Sequence, residues 1–162
     1  MAEQRRDPHE RRPFLSDSQR ALLSAVLDRI VPASGDLPGA GSLGVDAHVD
    51  GMAGLDAGSR RLMTDGLRAI EIAGSRTDRG GFADLPESDK TSVLKQIESD
   101  RPEFFKMLVQ QAYAGYYTDR RVLRAKGLSE VPPQPDGHEM PPFDESLLDG
   151  VRRRGKAYRD AQ

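Results

Sequence analysis

Histidine is the residue type best suited to acid–base or metal chemistry, and the chain has three. His9 stands in a charged N-terminal stretch and His138 in a proline-rich one, so no predicted element fixes either. His48 falls on a predicted helix with Asp50 two positions on, which helix geometry places on a different face. There is no His-x-x-x-His, no Glu-x-x-His and no carboxylate cluster at metal-ligand spacing. A surface or half-buried side chain is the plainer account of His48. Ser16, Ser18, Ser59, Ser88, Ser92 and Thr118 stand where helix caps and exposed faces are expected, and none sits in a Gly-x-Ser-x-Gly elbow. Residues 33–44, ASGDLPGAGSLG, are rich in glycine but lack the Gly-x-Gly-x-x-Gly order, and no strand precedes them. They read as a flexible connector rather than a phosphate cradle. Glu71, Glu87, Glu98 and Glu103 are isolated and read as solvated, and the chain has no cysteine to act as nucleophile or thiolate ligand. On residue chemistry alone no active site is visible.

The elements that would carry these residues are helical throughout. Leu22, Leu23, Val26, Leu27, Ile30 and Val31 fall on one helix face; Ser16 and Gln19 form a capping box before them and Pro32 stops them. After the 33–44 loop, Val45, Val49, Met52 and Ala53 make a short stripe. A third helix is expected from near Ser59 to Ala73, with Leu62, Met63, Leu67 and Ile70 inward and Gly66 at a close helix crossing. Phe82 and Leu85 form an apolar anchor. Pro86 then opens a helix with Val93, Leu94 and Ile97 on its core face. Asp100, Pro102 and Glu103 signal the next start. Phe104, Phe105, Leu108, Val109, Ala112, Tyr113, Tyr116 and Tyr117 repeat as apolar pairs every four residues, the mark of a central core helix. Tyr113 and Tyr117 are expected in the core, and Tyr116 at a contact with a partner. Val122 and Leu123 continue the helical pattern to a Lys126-Gly127 stop. From Leu128 to Pro142 the prolines imply an extended arm, followed by a short turn at Leu147, Leu148 and Val151.

The expected class is therefore all-α: a single small bundle of about five to six helices with an extended proline-rich C-terminal arm. Residues 1–13 read as a disordered tail, 14–127 as the helical domain, and 128–162 as an arm with a short terminal helix. Arg11-Arg12-Pro13-Phe14-Leu15 has the form of a twin-arginine signal, but the continuation Ser16-Asp17-Ser18-Gln19-Arg20 is polar where such a signal needs an apolar run. The 162 residues carry a net charge of -2 and 36% hydrophobic residues, without tryptophan. That balance disfavours a dedicated nucleic-acid binder, and so lean a core suits a protein supported by a partner. Arg152-Arg153-Arg154 reads as a solvated turn or a protein contact, since only Tyr158 stands near it for stacking. No apolar run is long enough to span a membrane.

The order of these features resembles the gluconate 2-dehydrogenase subunit 3 family. Ile30-Val31-Pro32-Ala33, Pro38-Gly39-Ala40 and Gly44-Val45 match its opening; Gly81-Phe82-Ala83-Asp84-Leu85 with Phe104-Phe105 its core; Gly115-Tyr116-Tyr117-Thr118-Asp119 its GYYSD-type motif. The ending, RVLRAKGL followed by PPQPDGHEMPPFDESLLDGVRRRGKAYR, resembles a branch that accompanies sugar- or glycoside-oxidising flavoproteins. The resemblance covers roughly residues 14–159. It implies a small helical, non-catalytic accessory subunit that holds no cofactor itself and stabilises or helps fold a large FAD-dependent subunit of the glucose–methanol–choline type. No nucleic-acid partner and no direct membrane insertion are expected, and the resemblance implies a cytochrome c or another electron acceptor reached through the complex. Family members often carry a twin-arginine signal, and without its apolar region the expectation here is a cytoplasmic complex, with a periplasmic one as the alternative. On that expectation the contact residues are Pro38 and Leu43 in the loop, Tyr116, Val122 and Leu123, and Pro132, Pro133, Pro135, Phe143 and Leu147 in the arm. Rival expectations are a free-standing helical adaptor and an enzyme using His48 or the 33–44 loop.

Overall fold

The computed structural model describes residues 13–75, 80–128 and 144–154. The chain divides into two compact units, Met1–Glu130 and Val131–Gln162. Residues 1–12 of the tail expected at 1–13, and residues 129–143 of the proline-rich arm, lie outside the described residues.

The first unit is built from α1 (Asp17–Ile30), α2 (Val45–Ala53), α3 (Ala57–Gly74), α4 (Glu87–Asp100), α5 (Pro102–Tyr117) and α6 (Arg120–Ala125), with a 3-10 turn at Phe82–Asp84. The described part of the second unit is a 3-10 turn, Glu145–Leu148, leading into α7 (Asp149–Arg154). The all-α class stands, and no strand occurs among the described residues.

Helix boundaries follow local chemistry. At α1 the capping box is complete: the Gln19 amide donates to the Ser16 hydroxyl, and the Gln19 side chain accepts from the Ser16 N–H at 2.9 Å. Asp56 caps α3 by accepting from the Ser59 amide at 2.9 Å, so that helix starts earlier than the serine suggests. The start of α5 differs from expectation. Asp100 closes α4, its carboxylate taken by Gln96, while Arg101 forms the corner and Pro102 occupies the first turn. The helix also does not run on through residues 118–119. Asp119 caps the separate α6, because its carboxylate captures the Arg121 amide at 2.8 Å.

At the centre is α5, which packs against α1, α2, α3, α4 and α6. Phe104, Leu108, Ala112 and Tyr116 form its buried column, against Leu23, Val26 and Leu27 of α1, Val49 of α2, and Met63, Leu67 and Ile70 of α3 within one continuous core. Phe82 and Leu85 anchor the connection between α3 and α4, as their pattern implies. The expected close crossing at Gly66 is present: a Cβ there would overlap the Phe104 ring. That contact lets α3 and α5 approach more closely than any larger residue would permit.

Gly66 yields a prediction whose sign opposes helix propensity. Replacing a mid-helix glycine by alanine ordinarily stabilises by up to about 1 kcal/mol. At Gly51 in α2 a Cβ would meet nothing within 4 Å, so Gly51→Ala should raise the melting temperature. Gly66→Ala should lower it, because overpacking costs ~1–3 kcal/mol. Thermal unfolding of both variants checks this, and a stabilised Gly66→Ala would contradict the packing.

Candidate partner interface

The surface expected to meet a partner begins with the 33–44 loop, and the loop is held down rather than loose. Ser34 and Leu37 exchange backbone hydrogen bonds at 3.0 and 3.1 Å, closing its tip. The Ala40 amide donates to the Val31 carbonyl at 3.0 Å, and the Val45 amide to the Ala40 carbonyl at 3.0 Å. Asp28 of α1 takes both the Ser42 amide and the Ser42 hydroxyl at 2.9 Å. Gly41 lies so close to the Ser24 carbonyl that a Cβ would collide with it. Gly44, at φ 88, turns the chain into α2 with a conformation that other residues rarely adopt.

The far side of the loop is fastened from the other end of the sequence. The Tyr116 hydroxyl donates to the Pro38 carbonyl at 3.2 Å, and Arg121 Nη2 donates to the Leu43 carbonyl at 2.9 Å. Burial pushes the Tyr116 phenol above its ordinary pKa, with the neighbouring Tyr117 and Asp119 adding to it, so the hydroxyl stays a neutral donor. Asp119 in turn accepts from Arg121 Nε at 3.0 Å and Nη2 at 2.9 Å. Those bonds from Arg121 hold the carboxyl below its ordinary pKa.

This geometry corrects several of the expected contact residues. Tyr116 is 3% exposed and belongs to the core, whereas Tyr113 and Tyr117, expected inside, are each 46% exposed. The reason is that a repeat of apolar pairs makes two columns about 100° apart on a helix, and only one can face the bundle. Here Phe104, Leu108, Ala112 and Tyr116 turn inward, leaving Phe105, Val109, Tyr113 and Tyr117 on the outer column. Val122 is 0% exposed and Leu43 is buried, so both side chains pack inside the first unit; Pro38 and Leu123 are half-buried. Pro132, Pro133, Pro135 and Phe143 lie outside the described residues. Leu147 falls in the 3-10 turn of the second unit, and its side chain is likewise outside the description.

Two residues do more than their sequence context suggests. Asp50, 6% exposed, accepts the Leu15 amide at 2.9 Å and the Phe14 amide at 3.3 Å, fixing the entry of the chain to α2. Its spacing from those amides is long, and only its place on the inner face of α2 could have hinted at it. The His48 ring packs on Gly115 of α5, and its Nε2 is buried with no hydrogen-bond partner among the described residues. A general base needs access to the proton it takes and a group to orient it; among the described residues no hydrogen bond orients the His48 ring through its buried Nε2. The cleft beside it, about 750 Å³, is also lined by Arg20, Asp50 and Asp119. All of these are committed inside the chain: Arg20 to Asp46 at 2.9 Å, Asp50 to backbone amides and Asp119 to Arg121. The Asp46 contact raises the Arg20 pKa further. Among the described residues no group of three or more histidine or carboxylate side chains could hold a metal, and no helix is long and apolar enough to cross a membrane.

A groove of about 720 Å³ lies between the end of α1, α4 and α5, with Ile30, Leu94, Phe105, Val109 and Tyr113 among its lining. It joins the outer column of α5. The family model described as gluconate 2-dehydrogenase subunit 3 matches residues 17–129, from the first residue of α1 to just beyond α6. The chain belongs to the gluconate 2-dehydrogenase subunit 3 family. The match takes in the fastened loop, both columns of α5 and the groove, so these are parts of the subunit 3 domain itself. Neither a curated protein nor a solved structure matches the chain.

The Asp119–Arg121 clasp predicts an acid response. A carboxyl with a folded pKa below its unfolded one adds stability above the unfolded value, and loses it as pH falls through the folded value. The melting temperature should therefore fall more steeply below about pH 4 in the wild type than in Asp119→Asn. Parallel pH profiles of thermal unfolding for the two proteins would remove the clasp from the account.

Proposed function

We propose that this chain is the non-catalytic small subunit of a flavin-dependent oxidoreductase complex acting on a sugar or glycoside. It would stabilise, or assist the folding of, a large FAD-bearing subunit of the glucose–methanol–choline type. The observation that carries the proposal is membership of a family described as a dehydrogenase subunit, over residues 17–129. The chemistry of the chain supports it. Arg20, Asp50 and Asp119 of the His48 cleft are engaged by Asp46, the Leu15 amide and Arg121, while Tyr113 and Tyr117 of α5 stay exposed. FAD, the catalytic base and the route to an electron acceptor such as a cytochrome c then all reside in the rest of the complex.

The physical effect assigned to the chain is mass action on the partner's native state. A subunit that binds only the folded partner stabilises it by about 2.7 kcal/mol when present at a hundred times its dissociation constant. Lean in apolar residues, the chain gains support from the same association.

The test is co-expression with a large flavoprotein of the glucose–methanol–choline type encoded in the same genome, followed by size exclusion with absorbance read at flavin wavelengths. The expected outcome is a yellow complex containing both chains, and a fall in soluble flavoprotein when this chain is omitted. A colourless 162-residue monomer, beside a flavoprotein that folds and oxidises sugar unaided, would overturn the proposal in favour of a free-standing adaptor. Turnover of a sugar by the isolated chain would overturn it in favour of an enzyme.

A further inference from the structure

We infer that the groove between α1, α4 and α5 receives an amphipathic helix of the large subunit, with a basic side chain at the corner of α4 and α5 and acidic ones a turn away. The inference rests on the accessory-subunit proposal and names the surface and the chemistry of its contact.

The floor is apolar and the rim is charged in a definite order. Lys95 and Glu98 border it from α4, Glu103 and Lys106 from α5, and among the described residues none of the four has an ion-pair partner within the chain. Because α4 and α5 are joined by Arg101 alone, both carboxylates lie next to the corner and both ammonium groups lie about one turn further along their helices. The groove is thus acidic at one end and basic at the next step. Glu98 moreover stands in the last turn of α4, which holds no basic residue and where the helix's own partial negative charge repels a carboxylate. A cation supplied from outside relieves that repulsion. Arg29, on the opposite wall, is already held by Thr91 at 2.9 and 2.6 Å and by Glu87 at 3.6 Å, so it shapes the wall without competing for an occupant.

The dimensions suit a helix. Phe105, Val109 and Tyr113 along the groove rise over ~12 Å, about two turns, which matches anchors at i, i+3, i+4 and i+7 laid into an apolar trough. An apolar floor inside a charged rim, with tyrosine at its edge, is the anatomy of a protein interface. A symmetric pairing of two copies fits less well: it would set one concave groove against another and leave the floors unfilled. A convex ridge from a different chain fills the trough.

The experiment uses the 162-residue chain co-expressed with the same flavoprotein, comparing wild type, Tyr113→Ala, the double charge reversal Lys95→Glu/Lys106→Glu, and Met52→Ala/Leu55→Ala on another face. These side chains are exposed, so the melting temperature of each isolated variant should stay near that of wild type. Tyr113→Ala and the lysine reversal should each weaken the complex by about tenfold or more, and the effect of the reversal should shrink in high salt. Met52→Ala/Leu55→Ala should bind as wild type. A photo-crosslinking residue in place of Gln110, which also lines the groove, should join to a helix of the flavoprotein that carries the stated charges. A wild-type complex left intact by both groove variants would overturn this inference and leave the accessory-subunit proposal standing. Absence of any wild-type complex would overturn both. Crosslinks between two copies, or within one chain, would overturn it by naming a different occupant.

Discussion

A loop packed against a helix must find partners for every backbone group it takes out of water, and in this chain that constraint binds the loop between α1 and α2 to the rest of the unit. The segment after Val31 has few apolar side chains with which to earn its place. It is fixed by hydrogen bonds: Ala40 to Val31, Ser42 to Asp28, the Pro38 carbonyl to Tyr116 and the Leu43 carbonyl to Arg121. Two of these bonds reach α1 and its cap, one α5 and one α6, so the three helices are set relative to one another through the loop. The close seat of Gly41 on the Ser24 carbonyl is what brings the loop near enough for those bonds to form.

Features that depend on neighbours in sequence were legible before the structure. The capping box at Ser16 and Gln19, the stop at Pro32 and the anchor of Phe82 and Leu85 stand where the sequence pattern puts them. So does the tight crossing at Gly66, because glycine inside an otherwise regular apolar stripe has few other uses. Family membership was legible for a related reason. Two of its motif groups, those around the loop and the Gly115–Asp119 segment, are stretches that the Tyr116 bond ties together.

Assignments that depend on partners far along the chain were not legible. The pairs of α5 give two equivalent columns, and the choice between them is made by the Pro38 carbonyl, which holds Tyr116 inward from 78 positions away. Once that choice is made, Tyr113 and Tyr117 must face outward. Val122 was misassigned for a similar reason. Asp119 breaks the helix and caps a new one, which turns Val122 into the core. Asp50 was overlooked because a carboxylate that serves main-chain amides leaves no side-chain motif.

The two columns of α5 link stability to association. Phe104, Leu108, Ala112 and Tyr116 hold the bundle together, while Phe105, Val109, Tyr113 and Tyr117 stand on the same backbone and face out. Any force that orders the outer column must also order the inner one, since a helix of this length moves as a unit. Tyr117 already leans on its neighbours, edge-on to Tyr116 at 5.3 Å and with the Lys126 ammonium 5.4 Å from its ring. The exposed ring therefore touches the buried phenol that fastens the loop. On the proposed reading a lean core gains most from such an arrangement, because the surface assigned to the partner is the reverse side of the element that holds the fold.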